Sequence, residues 1–166
     1  RVKSIETWHA DAKTSASAGE SVGLTLDTEI FVERGQVASL ETSRPMLTNI
    51  FRANLFWLGR KPLVEASRYR MQIGTAHYIV QVETVEKIVD VNDLASSDSK
   101  TLERNGVGVV VFRSRGMIAL DPFMTDTNIG RCVLIEDFSI VGGGLIDMAG
   151  FPDQSATHAI RSHNIQ

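Results

Sequence analysis

Apolar residues in this chain alternate with polar ones over short stretches bounded by Gly, Pro, Asn and Asp, the period-2 signature of half-buried strands. The pattern predicts strands at 2–8, 21–26, 37–40, 48–58, 69–75, 78–89, 106–115, 131–137 and 139–147. In 48–58, Phe51, Ala53, Leu55 and Trp57 share one face, and Arg52 and Asn54 share the other. Val80, Val82 and Ile88 line one face of 78–89, opposite Gln81, Glu83 and Lys87. Val107, Val109 and Val111 repeat the alternation, and Arg113 and Arg115 prolong that row outward. Only 91–102 and parts of the tail suit short helical turns. Many short strands separated by turn signals indicate an all-β sandwich or barrel.

A boundary is expected at 41–45, where the polar segment ETSRP ends in Pro45. Residues 46–147 hold six strands, enough to close a small barrel around its own core. Residues 1–42 hold three or four, too few to close, so this first unit reads as part of a barrel with open edges that favour pairing with another chain. Residues 148–166, polar and carrying Gly150 and Pro152, read as a linker or extension.

Composition adds limits. At 166 residues, 43% hydrophobic and 22% charged, the chain is expected to fold. A formal net charge of −3 argues against nucleic acid as the main partner. The single cysteine, Cys132, excludes an intrachain disulfide and points to a reducing cytoplasm. No apolar run has the length of a membrane span, and no signal-peptide layout opens the sequence.

The search for chemistry is sparse. No G-x-x-x-x-G-K-[ST] loop is present. Gly142-Gly143-Gly144 follows strand-like residues with no lysine behind it, which suits a bulge or a close backbone approach better than a phosphate cradle. His9, His77, His158 and His163 are scattered, and one cysteine is too few for a structural zinc site. Cys132, beside Val133 and Leu134, reads as a buried, inert thiol. No G-x-S-x-G elbow marks a nucleophilic serine. Asp90, Asp93, Asp121 and Asp126 fall near turns, where such residues cap the backbone. No catalytic, cofactor-binding or metal-binding residue is therefore assigned. Two basic spots remain. Arg60-Lys61-Pro62 suits a solvated turn, whereas Arg113 and Arg115 point the same way and are the candidate contact for a carboxylate-bearing partner.

The ordered phrases AGESVGLTLDTEIFVERGQVAS, NIFRANLFWLGRKPL, RGMIALD and GRCVLIEDFSIVGGGLI resemble the large, GTPase subunit of bacterial sulfate adenylyltransferase. The resemblance implies elongation factor Tu-like β-barrels, one partial and one a complete six-stranded Greek-key barrel. It also implies a parent that makes adenylyl sulfate from ATP and sulfate, driven by GTP hydrolysis. GTP and magnesium would sit in a domain upstream of residue 1, and a separate small subunit would carry the adenylyl transfer. The tail resembles the approach to an adenylylsulfate kinase domain found in bifunctional relatives. By this resemblance residues 1–166 form a non-catalytic regulatory and interaction portion. Its partners would be its own GTP-binding domain and the small subunit. An RNA-binding barrel pair of a translation-type GTPase, or a self-contained small enzyme, are the competing readings.

Overall fold

The computed structural model describes residues 1–9, 11, 13–89, 96–97, 100–125 and 128–155. It divides into two compact units, Arg1–Glu33 and Arg34–Gln166. In the first, β1 (Val2–Glu6) pairs antiparallel with β2 (Gly23–Leu26). The expected strand at 37–40 does not form: Val37 and Leu40 are exposed, and β-branched propensity without a pairing partner does not fix a strand.

The second unit holds β3 (Met46–Trp57), β4 (Leu63–Val64), β5 (Arg68–Ile73), β6 (Ala76–Val89), β7 (Ser96–Ser97), β8 (Thr101–Leu102), β9 (Val107–Leu120), β10 (Arg131–Glu136) and β11 (Ser139–Asp147). Where helical turns were expected within 91–102, the described residues form β7 and β8; the rest of that segment, with Asp90 and Asp93, lies outside the described residues. So do Asp126, His158 and His163. Six strands close a ring in the order β3-β9-β6-β5-β10-β11 and back to β3, all antiparallel. The connections β3 to β5 and β9 to β10 cross to the opposite side of the ring, as in a Greek key.

The alternation read from the sequence is what fills the ring. Phe51, Ala53, Leu55 and Trp57 point inward and are essentially unexposed, meeting Phe112, Met71, Val80 and Leu134. Phe51 packs on Phe112 with ring centroids 5.9 Å apart, and Trp57 meets Tyr69 edge-on at 5.3 Å. Both separations lie in the favourable range for aromatic pairs. The Trp57 indole N–H donates to the carbonyl of Lys61 at 2.8 Å. That bond gives the Arg60-Lys61 turn a structural task.

β6 reaches from Val82 to Ile88 only by slipping register twice, between Val82 and Thr84 and between Val85 and Lys87. Each bulge reverses which face the next residue takes. Val85 therefore turns inward, and Ile88 returns to the face of Val80 and Val82.

Two close approaches explain glycines. Gly35, with φ +98°, lies so near the start of β6 that a Cβ would sit 2.6 Å from that of Ala76. In β11, a Cβ on Gly142 would stand 3.1 Å from the Trp57 ring, and one on Gly144 would stand 3.1 Å from the Cys132 sulfur. Next to Gly142 the ladder with β10 also shifts register, between Leu134 and Ile135. Beyond β11, the segment through Ser155 is tied back to β3. Gln154 N–H donates to Leu47 O at 2.8 Å, Leu47 N–H donates to Asp153 Oδ1 at 3.1 Å, and Arg52 stacks over Phe151 at 5.0 Å.

These glycines separate cleanly in a stability measurement. Gly144→Val should cost about 1–3 kcal/mol by overpacking, because Cys132 and the Asn54 carbonyl bracket the new side chain. Gly143→Val, facing outward with only the Cys132 carbonyl at 3.9 Å, should change stability by no more than about 0.5 kcal/mol. Urea midpoints at constant m-value check the pair.

Candidate partner-docking surface

The site begins with a break in β9. Ile50 pairs with Arg113, but Thr48 pairs with Ile118, so 114–117 stand opposite the single residue Asn49. Two buried hydroxyls stabilise this bulge. Thr48 Oγ1 donates to Ile50 O at 2.7 Å and accepts from Ile50 N–H at 3.2 Å; Ser114 Oγ donates to Gly116 O. Buried hydroxyls need such partners, since an unsatisfied one costs about 1–3 kcal/mol.

The bulge leaves Arg113 and Arg115 exposed on the same outer surface, as their spacing predicted. Both line a surface cavity of about 340 Å³, together with Arg68, Gln81 and the apolar residues Ile79 and Val80. Arg113 is committed to Glu83: Nε–Oε2 is 2.9 Å and Nη2–Oε1 is 3.1 Å. These hydrogen bonds are the main reason the Glu83 carboxyl is held below its ordinary range and the Arg113 guanidinium above its own. Arg68 donates to the neutral Gln81 Oε1 at 3.4 Å, and among the described residues it forms no ion pair. Among the described residues Arg115 forms no ion pair. Two of three guanidiniums at the cavity thus carry charge that no carboxylate offsets. A planar fork of N–H donors facing solvent suits a carboxylate or another oxyanion.

Arg68 and Ile79 were not singled out from the sequence, although a signal existed. A two-residue turn at Gly74-Thr75 pairs Ile73 with Ala76, and counting back pairs Arg68 with Gln81 and Arg70 with Ile79. The pairing of Gln81 with Arg113 joins segments 32 positions apart and has no such local cue.

Other candidates resolve into structure. Gly142–Gly144 is the interior of β11, packed on Trp57 and Cys132, and does not fit a phosphate cradle. Cys132 is 3% exposed, and burial pushes its thiol pKa up to about 12. Among the described residues no group of three His, Cys, Asp or Glu side chains converges on a metal position. Among them, too, no helix is long and apolar enough to cross a membrane.

Residues 50–147 match the family described as GTP-eEF1A C-terminal domain-like. The chain is 32% identical over 148 residues to the bifunctional enzyme NodQ of Rhizobium sp. (strain N33), covering 88% of this chain and 23% of that protein. It is also 32% identical over 148 residues to sulfate adenylyltransferase subunit 1 of Vibrio atlanticus (strain LGP32), with 88% and 31% covered. Over 165 residues it is 28% identical to the same subunit of Aliivibrio fischeri (strain MJ11), covering 98% and 34%. The chain thus spans about a third or less of the length of these relatives. In fold it is similar to sup35 complexed with GDP, with a TM-score of 0.79 at 17% identity, covering 87% of this chain and 36% of that one.

The buried thiol makes a pH dependence. The folded state keeps the Cys132 proton above the ordinary thiol pKa of 9.0, where the unfolded chain releases it. Unfolding is therefore favoured as pH rises from that value toward about 12, by up to about 1.4 kcal/mol per pH unit. Cys132→Ala should flatten this alkaline slope in urea melts between pH 8 and pH 10.5. A thiol reagent should label native Cys132 only at the rate at which the barrel opens.

Proposed function

Because the chain belongs to the GTP-eEF1A C-terminal domain-like family, we propose that it is the non-catalytic docking and regulatory portion of a sulfate-activating GTPase subunit. The carrying observation is the arginine-lined cavity, where Arg113 and Arg115 are brought together beside Arg68 on a closed, well-packed barrel. Similarity to sulfate adenylyltransferase subunit 1 supplies the context. In that context the intact protein makes adenylyl sulfate from ATP and sulfate, driven by GTP hydrolysis, in the cytoplasm. By the same similarity GTP and its magnesium ion are assigned to another domain of the parent; Gly142–Gly144 here is packed strand interior and not a phosphate cradle. The partners of the barrel are that domain and the small subunit that transfers the adenylyl group. Such a barrel contributes by how tightly it docks in each nucleotide state, because coupling between sites requires contacts that differ between the states.

Arginine suits this task. Its rigid fork binds carboxylates in two-point fashion, which fixes orientation as well as affinity. Reversing both charges, Arg113→Glu with Arg115→Glu, in the intact GTPase subunit should weaken binding of the small subunit at least tenfold. Nucleotide binding by the GTP domain should be unchanged. Titration calorimetry at two salt concentrations checks this; unchanged affinity and unchanged GTPase stimulation would sink the assignment.

A further inference from the structure

The cavity is one end of a longer surface. Register places Ile140 opposite Ile135, Ile135 opposite Arg70, and Arg70 opposite Ile79, one row crossing β11, β10, β5 and β6. Directly paired residues of an antiparallel ladder point to the same side, and here that side is the outside: Ile140 is 63% and Ile79 61% exposed. Ile79 then meets Arg115 at the cavity. The next row, Arg68–Gln81–Arg113, runs alongside. With strands about 4.8 Å apart, five strands give a strip about 19 Å long.

At the β11 end stands Phe138, 91% exposed, its ring 5.6 Å from the Arg70 guanidinium. Glu136 pairs with Ser139, so Asp137 and Phe138 form a two-residue hairpin loop. Both have positive φ, 45° and 64°. Such a loop favours Asn-Gly, and a phenylalanine in its left-handed position is strained while its ring gains no burial. Within the fold the ring gains only the exposed contact with Arg70, worth about 0.5–1 kcal/mol, and strain of this kind collects at binding sites.

The chemistry of the strip is selective. It combines the four arginines Arg68, Arg70, Arg113 and Arg115 with exposed Ile79, Ile140 and Phe138, and its rows contain no lysine. Interface centres are enriched in arginine and aromatics and depleted in lysine. Glu83 is taken by Arg113, while Glu136 and Asp137 line a separate cavity with Arg60, Lys61 and Arg104. The strip is therefore apolar and cationic together. We propose that it docks an acidic segment of a partner protein, about six extended residues long, whose carboxylates meet the arginines while an apolar side chain packs between Phe138 and Ile79. Exposed isoleucines favour a protein over RNA, which would want stacking aromatics along the groove. The inference rests on the docking role proposed above and says which face performs it.

The test uses the intact GTPase subunit and the small subunit as the probe. p-Benzoylphenylalanine replaces Ile79, Ile140 or, as a control at the other end of β6, Lys87. Cross-links from positions 79 and 140 to Asp- or Glu-bearing peptides, with none from 87, are expected. Phe138→Gly should weaken the complex about tenfold yet raise Tm by about 2–4 °C, since the turn relaxes. A merely structural Phe138 would not lose affinity while gaining stability. A complex that cross-links only from 87, with affinity unmoved by Phe138→Gly or Arg70→Glu, overturns the strip and leaves the docking role standing. No complex at all overturns both. Micromolar binding of labelled single-stranded RNA that Arg70→Glu abolishes overturns the assignment to a protein partner.

Discussion

Closure of the ring by β5 and β6 is the constraint on which the second unit depends. These strands pair over six positions, and their hairpin joins the two ends of the ladder so that no barrel strand keeps a free edge. A closed six-stranded ring is narrow, so its interior must be filled by side chains of matched size. Trp57, Phe51 and Phe112 are the largest side chains in that space, and β11 passes close over Trp57 at Gly142 and close to Cys132 at Gly144, where neither residue carries a side chain. The glycine run that resembles a nucleotide loop in isolation is thus the counterpart of a large tryptophan.

The same closure explains the outer surface. Strands that bend around a narrow ring relieve the mismatch through bulges, and each bulge changes what the next residues face. In β6 two slips cancel; in β9 one large slip does not, and it frees Arg115 and Gly116 from the ladder. Thr48 and Ser114 hold that slip by bonding to nearby carbonyls, so the arginines stand on an anchored feature and not on a floppy loop. A guanidinium presented this way loses less conformational entropy on binding than one on a mobile chain.

How much of this was legible in the sequence follows from the range of each cause. Alternation is local, so the inward face of β3 and the common direction of Arg113 and Arg115 could be read directly, whereas the row Val107, Val109 and Val111 proves to be the outward one of β9 and the core takes Val110 and Phe112. The resemblance carried the closed barrel. The bulges of β6 and β9 were not legible, because a register slip depends on the strand alongside; hence Val85, outside the expected pattern, lies in the core. The strand expected at 37–40 failed for the complementary reason, since suitable residues there have no ladder to join. Arg68 joined the site through a countable hairpin. The role of Lys61 as acceptor for the Trp57 indole could be seen only once the turn was folded.

Arg52 and the arginines of the cavity illustrate why position decides what a charge does. Arg52 is bound to Glu86 of β6 at 2.6 Å, donates to the Ala149 carbonyl at 2.7 Å and covers Phe151, so its donors are spent on β6 and on fastening the segment after β11 to β3. Arg68 and Arg115 have the same chemistry and lack such commitments to carboxylates. Their charge is solvated rather than paired, which costs the folded barrel little and leaves the fork available. A partner that supplies carboxylates there replaces water and not an internal salt bridge, so the gain on docking is not offset by a bond that must first break. Arg113, held by Glu83, differs: it stays oriented before any partner arrives. One fixed fork between two available ones is an arrangement that orients an acidic segment without distorting the barrel that presents it.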